Sequence, residues 1–224
     1  MAYCPVEVRS GGQRMPRLRQ VPLNEATGDV RGVYARLFGD RDPVAEPGTA
    51  TGTPGNWWTV FALVPDVLAH AQAGFGVISN KSRAMTAYQR ELAIMRTGFA
   101  AGSKFVFSQH SKAARAAGVP EEKIAAIGSW AASQAFDADD RVLLAYVDQL
   151  VLGDGRMQDA TFDALKRSCT DEAILELTYT IGTYRMHAMM SRALRLEYDD
   201  IDERIVEVAM PGQAAADVMS QISR

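Results

Sequence analysis

The sequence predicts an all-α fold, and three observations lead to that prediction. Apolar residues recur with a helical period almost throughout the chain from Asn56 onward. Residues that favour helix ends, such as Ser103, Gly118 and Pro120, divide this stretch into segments of ordinary helix length. No segment alternates as a strand does, and no βαβ pattern is present. We therefore expect a helical bundle, and 224 residues suffice for one domain or a tightly fused pair.

Residues 1–55 are expected to form an arm, a short helix and a long loop. The first 20 residues are basic and contain a Gly-Gly pair, which suggests an arm lying on the surface or on a neighbouring subunit. A short helix is predicted from Asn24 to Leu37. Residues 39–56 contain four glycines and three prolines, so we expect a loop that acts as a lid or as a subunit contact.

The rest of the chain is expected to form a helical domain over residues 56–198 and a tail over 199–224. Helical segments are predicted over 57–78, with a break near Pro65, over 84–101, and over 104–117 with Ser103 as its cap. Four more follow: one that Pro120 opens, one that starts at Asp137 or Asp139 and ends at Gly153, one over 159–168, and one that Thr170 caps and that extends to about Leu194.

Composition and charge exclude several classes of protein. The net charge is −3 with both signs mixed along the chain, so neither nucleic acid nor an anionic membrane is expected as a partner. No apolar run approaches the roughly 18–20 residues that cross a bilayer, and the N-terminus lacks an apolar signal core, so we expect a cytoplasmic protein. Cys4 and Cys169 have no metal-binding or redox spacing and are expected to be unrelated, reduced thiols.

Glu91 is the first candidate for chemistry. It lies between Tyr88 and Met95 within the apolar stripe of segment 84–101, where a solvated glutamate is not expected. A buried carboxylate suits a general acid or base, and we expect desolvation to raise its pKa. The alternative is structural, because such a glutamate also ties down a neighbouring arginine or a helix end.

His110 follows nineteen residues after Glu91 and shares an apolar stripe with Val106 and Ala113. A lone histidine on such a face is commonly a satisfied core residue, which is the alternative here. The break at Gly102 allows the two helices to turn back on each other, so we expect His110 to approach Glu91. A carboxylate near an imidazole orients the ring and stabilises its protonated form.

Polar residues also form a narrow stripe along the predicted C-terminal helix. They are Glu176, Thr180, Thr183, His187 and Ser191. The stripe is either the solvent-facing edge of the helix or in part the lining of a pocket, with Tyr184 and Arg185 beside His187. In the second case Arg185 is a candidate to hold a substrate carboxylate, because a guanidinium matches carboxylate geometry.

Aromatic residues are concentrated around these candidates. They are Trp57, Trp58, Phe61, Tyr88, Phe105 and Phe107. The set either packs as a core or subunit interface, or shapes a flat apolar cavity for a cyclic substrate. Glu91, His110 and His187 have no short-range ligand motif, so we expect no metal site.

Taken together, these segments resemble a known family. The stretch QRELAIMRTGFAAGSKFVFSQHSKAARAAGVPEEKIAAI (89–127), with DADDRVLLAYVDQLV (137–151), DATFDALKRS (159–168) and ILELTYTIGTYRMHAMMSRAL (174–194), resembles the carboxymuconolactone decarboxylase and alkylhydroperoxidase D-like superfamily over roughly residues 56–198. The resemblance implies an all-helical fold and a homo-oligomer, as a dimer, trimer or hexamer.

The peroxidase branch of that family carries a Glu, a Cys-x-x-Cys and a His. In this resemblance the Glu corresponds to Glu91 and the His to His110, whereas the two cysteine positions hold Ser103 and Val106. Peroxide reduction needs a thiolate, so we do not expect thiol peroxidase activity. His187 stands where the resemblance predicts an aliphatic residue, which points to a different substrate.

The decarboxylase branch implies a cofactor-free lyase in aromatic compound metabolism. The hypothesis is decarboxylation, or a related proton transfer, on a small cyclic or aromatic carboxylate, with His110 as proton donor or shuttle and Glu91 as its partner. The expected substrate contacts are Tyr88, Trp58, Phe107, Tyr184, Arg185 and His187. The alternatives are an isomerase, dehydratase or hydrolase that uses the same pair, or a non-catalytic ligand-binding or assembly protein.

Overall fold

A computed structural model describes residues 15–200 and 204–209 of the chain. All regular secondary structure in these residues is helical, so the all-α prediction is confirmed. Most of the expected N-terminal arm, residues 1–14, and most of the expected tail, residues 201–203 and 210–224, lie outside the described residues. None of the described helices is long and apolar enough to cross a bilayer.

The described residues contain nine α-helices and two short 3₁₀ segments. The α-helices are α1 (Gly28–Phe38), α2 (Asn56–Phe61), α3 (Pro65–Ser79), α4 (Ala87–Ala100), α5 (Lys104–Ala116), α6 (Glu121–Ala126), α7 (Ala138–Val151), α8 (Asp159–Lys166) and α9 (Asp171–Leu194). The 3₁₀ segments are Leu23–Glu25 and Ile127–Ala132.

Side chains cap four of these helices at their N-termini, each by accepting a backbone N–H of the first turn. The capping residues are Thr86, Ser103, Asp137 and Thr170. The starts expected at Ser103 and Thr170 are thus confirmed, and Asp137 rather than Asp139 begins α7.

The first helix begins later than the sequence pattern predicts. A helix was expected from Asn24, but Leu23–Glu25 form a separate 3₁₀ turn, and the backbone is extended at Ala26 before α1 begins at Gly28. The break expected near Pro65 is present, because α2 ends at Phe61 and Pro65 occupies the first turn of α3, where its missing N–H costs nothing.

Helix α4 lies at the centre of the fold and packs against α5, α7 and α9. Its residues Leu92, Ala93, Ile94 and Met95 are completely buried. One apolar cluster joins α1, α2 and α3 to α5 and α9, and a second joins α4 to α6, α7 and α8. The site described below lies on the side of the first cluster.

Helices α4 and α5 form a tight antiparallel hairpin. Gly102 turns the chain with φ of +70°, a left-handed conformation that glycine adopts at low cost. Gly98 allows the closest approach of the two helices, since a Cβ at that position would lie 2.6 Å from the backbone nitrogen of Phe107. This packing directs Glu91 of α4 and His110 of α5 toward each other.

Replacing Gly98 should separate the two helices that carry the pair. We expect Gly98→Ala to lower the free energy of unfolding by about 1–3 kcal/mol, because the added methyl group overlaps the backbone of Phe107, which cannot move without α5. Chemical denaturation measures the change. The matched control is Gly182→Ala in α9, where an added Cβ meets no atom within 4 Å. Equal stability of Gly98→Ala and wild type would contradict close packing at this point.

Candidate active site

A cavity opens between the 39–56 loop, α2, α3, α5 and α9. It is lined by Thr51, Thr53, Trp57, Trp58, Phe75, Phe105, Val106, Gln109, His110, Tyr184 and His187. Most of its wall is aromatic or aliphatic, and none of these residues is a lysine or an arginine. A cavity with an apolar wall and a few polar groups has the features of a small-molecule site.

Glu91 and His110 are in contact at this cavity, a point that the sequence by itself left open. The distance between His110 Nδ1 and Glu91 Oε2 is 2.7 Å, and the two residues are only 3% and 1% exposed. The second carboxylate oxygen of Glu91 accepts a hydrogen bond of 2.8 Å from Arg90 Nε. Glu91 therefore binds both an arginine and the imidazole. The contact with the arginine fits the structural interpretation of this residue, and the contact with the imidazole fits its interpretation as part of a proton-transfer site.

The pKa of Glu91 differs from expectation. Burial by itself raises it, as the sequence argument predicts, but the charges and hydrogen bonds of His110 and Arg90 outweigh burial and hold the pKa below its usual value. The expectation of a raised pKa is therefore wrong, because it omitted the two partners that α4 and α5 bring to the carboxylate. Glu91 is thus suited to stabilise a protonated His110 rather than to donate a proton itself.

Tyr184 of α9 packs against the other side of the His110 ring. The ring centroids are 4.4 Å apart and the rings meet edge to face. Burial, and then the charge of Glu91, raises the pKa of the Tyr184 hydroxyl well above its usual value. Tyr184 therefore remains a neutral phenol that fixes the orientation of His110.

His187 lies one turn before the end of the buried face of α9 and also lines the cavity. It is 3% exposed and is surrounded by the rings of Trp57, Phe75 and Tyr184 at centroid distances of 5.6, 4.9 and 6.2 Å. Burial, with smaller contributions from His110 and His70, lowers its pKa to about 4. The ring is consequently neutral at neutral pH.

The 39–56 loop forms part of the cavity wall. Thr51 and Thr53 line the cavity, and the carbonyl oxygen of Thr51 accepts hydrogen bonds from Gln109 and Lys112 of α5. The buried carboxylate of Glu197 accepts the backbone N–H groups of Gly55 and Trp57 at 3.0 and 2.6 Å, which ties this segment to the chain that follows α9. The loop therefore covers the site, in agreement with one of its two expected roles.

Three of the six expected substrate contacts, Trp58, Tyr184 and His187, line the cavity. Tyr88 does not, because its hydroxyl contacts Asp140 and Lys123 on the other side of α4. These positions correct part of the expected set.

Phe107 and Arg185 also lie away from the cavity. Phe107 packs against Phe99 in the second apolar cluster and is not among the residues that line the cavity. Arg185 points outward and pairs with Asp154 at 2.8 Å. The expectation that Arg185 holds a substrate carboxylate at this site is therefore corrected, since residues adjacent in a helix, such as Tyr184 and Arg185, point in different directions.

The polar stripe on α9 is not a solvent-facing edge. Thr180, His187 and Ser191 are buried, and only His187 among the stripe lines the cavity. Glu176 instead accepts the backbone N–H of Met85 at the start of α4. Most of the stripe thus packs α9 against its neighbours.

Sequence reasoning missed several residues of the site. Phe75, Gln109 and the two loop threonines carry no motif, and Glu197 stands in an acidic stretch that resembles a solvated run. For metal binding, no three His, Cys, Asp or Glu side chains converge anywhere in residues 15–200 and 204–209.

Residues 66–149, which include Glu91 and His110, match the sequence model of the Carboxymuconolactone decarboxylase family. The fold is similar to an alkylhydroperoxidase AhpD core, a peroxidase-related protein from Ralstonia eutropha JMP134, with a TM-score of 0.66, 15% identity and coverage of 81% of this chain and 90% of that one. Residues 66–149 are therefore similar in sequence to the carboxymuconolactone decarboxylase family, and the fold is similar to that of the AhpD core.

Two further structures have a similar fold. One is a protein of unknown function from Agrobacterium tumefaciens, provisionally assigned as an antioxidant defence protein AhpD, with a TM-score of 0.57, 21% identity and coverage of 66% of this chain and 96% of that one. The other is a Cys-to-Ala variant of the debrominase Bmp8 in complex with 2,3,4-tribromopyrrole, with a TM-score of 0.62, 17% identity and coverage of 80% of this chain and 91% of that one. No curated protein matches the sequence.

In this chain, the two positions that the resemblance assigns to cysteines have other roles. Ser103 caps α5, and its hydroxyl donates to Asp199 at 2.6 Å. Val106 is an apolar part of the cavity wall. Cys169 follows α8 and does not line the cavity, and Cys4 lies outside the described residues.

The Glu197 carboxylate should make stability depend on pH. Burial raises its pKa from 4.5 to about 7, against the opposing hydrogen bonds of Trp57 and Gly55. Because the folded pKa exceeds the unfolded one, the folded state binds more protons between these values, so the contribution of Glu197 to stability is greatest below pH 4.5 and is lost as pH rises to about 7. We expect Glu197→Gln, which keeps an acceptor oxygen but does not ionise, to reduce this fall in the melting temperature measured across the range.

The exposed Glu46→Gln variant is the control for that series, since Glu46 lies at the surface of the 39–56 loop. If Glu197→Gln and wild type lost stability in parallel as the pH rises, Glu197 would not be the titrating group.

Proposed function

We propose that the chain is a cofactor-free enzyme in which His110 transfers a proton and Glu91 stabilises the charged ring. The reaction that we assign is decarboxylation, or a related acid/base step, on a small cyclic or aromatic carboxylate. The observation that carries the proposal is the buried contact of 2.7 Å between His110 Nδ1 and Glu91 Oε2, made by a ring that also lines the cavity. Enzymes occur among similar proteins, which include a debrominase.

The pair leaves one nitrogen of His110 for a substrate. We assign the Nδ1 proton to the hydrogen bond with the Glu91 carboxylate, so Nε2 is the atom that exchanges a proton at the cavity. Arg90 balances the negative charge of Glu91. When His110 is protonated, the three side chains therefore carry one net positive charge beside the cavity.

This positive charge would attract the carboxylate of a substrate. No lysine or arginine in the cavity lining competes for that role. Loss of carbon dioxide breaks a carbon–carbon bond and leaves its electron pair in an enolate conjugated with a carbonyl of the substrate. His110 Nε2–H then protonates the carbon, and the neutral ring takes a proton from solvent. The sum is one carboxylate and one proton converted into carbon dioxide and a new C–H bond.

The aromatic wall supports a ring-shaped substrate. The rings of Trp57 and Phe75 face the same cavity as His110 and offer flat apolar surfaces. The debrominase Bmp8, which shares the fold, binds 2,3,4-tribromopyrrole, a single substituted ring. We assign acid/base rather than thiol chemistry here, because the positions that correspond to the peroxidase cysteines are Ser103 and Val106.

Substitution of the pair tests this proposal. We expect Glu91→Gln and His110→Gln each to reduce turnover by about 10²–10⁴-fold, because one removes the charge that stabilises the imidazolium and the other removes the proton carrier. The assay follows ultraviolet absorbance and carbon dioxide release with γ-carboxymuconolactone and a panel of lactone and aromatic carboxylates. Glu176→Gln is the matched control, since Glu176 also pairs with an arginine, Arg83, but lies outside the cavity.

Other outcomes separate the remaining hypotheses. Turnover without carbon dioxide release that both variants lose would favour an isomerase, dehydratase or hydrolase that uses the same pair. Turnover that Glu91→Gln and His110→Gln retain at the wild-type rate would contradict the proposed roles. Ligand binding with no turnover of any compound would favour a non-catalytic binding protein.

We also propose that the chain forms a homo-oligomer in which α9 contributes to the interface. Apolar side chains on α9 face outward, namely Leu175, Tyr179, Met186 and Met189, and Met189 is 64% exposed. Apolar surface of this kind is commonly covered by another copy of the chain.

Light scattering tests the association. We expect wild type to have a mass that is a multiple of 24.4 kDa, and Met189→Glu to have a smaller mass, because a charge in an apolar interface is costly. Ala160→Glu, on the exposed surface of α8, is the control and should retain the wild-type mass. A wild-type monomer would contradict the proposal.

A further inference from the structure

His187 carries buried hydrogen-bonding capacity that the protein does not use. The ring is 3% exposed, and the described residues give neither Nδ1 nor Nε2 a hydrogen-bond partner. Buried polar atoms in folded proteins are nearly always paired, because an unpaired one loses its hydrogen bonds to water without replacement. A buried imidazole with two unpaired nitrogens is therefore unusual in a folded protein.

The walls around His187 cannot supply the missing partners. The nearest rings are those of Phe75, Trp57 and Phe61, with centroids 4.9, 5.6 and 6.3 Å away. They are apolar surfaces, and they also remove the solvent that would stabilise a charged imidazole. Burial accordingly lowers the pKa of His187 to about 4. In the neutral ring one nitrogen donates a hydrogen bond and the other accepts one.

His187 and His110 line the same cavity but differ in their hydrogen-bond partners. His110 is paired with Glu91, whereas His187 is unpaired and neutral. Tyr184 lies between them, with its ring centroid 4.4 Å from that of His110 and 6.2 Å from that of His187. A single small ring in the cavity is therefore able to place one substituent at each histidine.

We propose that His187 selects the substrate by hydrogen bonding to a neutral hydroxyl or N–H group on a planar ring whose carboxylate meets His110. The proposal deepens the function assigned above and rests on it for the position of the carboxylate. A hydroxyl group uses both the donor and the acceptor of the neutral imidazole. A methyl group uses neither, and a second carboxylate would lie among aromatic rings without a counter-charge.

The substrate class that follows is a hydroxylated or N–H-containing cyclic monocarboxylate. It excludes rings that are apolar away from the carboxylate, and it excludes dicarboxylates, γ-carboxymuconolactone among them, so turnover in the assay panel is expected from the monocarboxylates. We assign this distinction to His187 because, among the lining residues, it is the one with buried side-chain nitrogens that the described residues leave unpaired, whereas His110 is committed to Glu91.

Isothermal titration calorimetry with matched benzoates tests the assignment without requiring turnover. The probes are 3- and 4-hydroxybenzoate, 3- and 4-methylbenzoate, and the corresponding benzene dicarboxylates. We expect wild type to bind one of the hydroxybenzoates about tenfold more tightly than its methyl counterpart, and the dicarboxylate most weakly. His187→Phe should lose the preference for hydroxyl over methyl, and His187→Gln, which keeps a donor and an acceptor, should restore part of it.

Stability of the free protein provides a second readout. If His187 serves a ligand, His187→Phe removes two unpaired buried atoms, and the melting temperature should stay the same or rise. A histidine with a purely structural role would instead leave a destabilised variant, and that result would overturn the proposal. Equal affinity of wild type for the hydroxyl and methyl compounds, or no binding of either, would also overturn it.

The Glu91→Gln variant distinguishes failure of this proposal from failure of the proposed function. We expect it to lose turnover while it keeps the preference for hydroxyl over methyl. Selective binding by wild type without turnover would contradict the proposed reaction and leave the role of His187 intact. Turnover without selectivity would contradict the role of His187 alone.

Discussion

The buried carboxylate of Glu91 is the constraint on which the rest of the site depends. A negative charge removed from water is tolerated only where hydrogen bonds and opposite charge replace the solvent, and here Arg90 and His110 supply both. His110 reaches Glu91 only because α4 and α5 pack closely at Gly98, where a side chain would overlap the backbone of Phe107. The same contact sets the position of α5, and α5 contributes lining residues to the cavity.

Two histidines line the cavity, and their immediate surroundings differ. His110 has a carboxylate partner that stabilises its charged form, whereas His187 is enclosed by aromatic rings and remains neutral at neutral pH. Tyr184 contacts both rings and stays protonated, because it too is buried and lies near the charge of Glu91. One side of the cavity thus presents an imidazole paired with a carboxylate, and another side presents a neutral imidazole without a partner among the described residues.

The parts of the site come from different regions of the chain. Residues 66–149, which match the family, contribute the Glu91–His110 pair, whereas the 39–56 loop, α2 and α9 contribute six of the lining residues. Glu197 connects two of these outer regions by binding the backbone at Gly55 and Trp57. The Glu91–His110 pair and about half of the cavity lining therefore come from separate segments of the chain.

Local sequence was sufficient to predict the helical class, the caps at Ser103 and Thr170, and the approach of His110 to Glu91, because helical periodicity, capping and a glycine break act over a few residues. It was insufficient for Arg185, which neighbours a lining residue yet points away, and for Glu197, whose burial depends on a loop 140 residues earlier. The lowered pKa of Glu91 also required tertiary structure, because it reflects the balance between burial and two partners. The sequence by itself determined the helical class, several helix starts and the inward direction of Glu91 and His110. Only the tertiary structure decided which inward-facing polar groups find partners, because that depends on contacts between segments far apart in the chain.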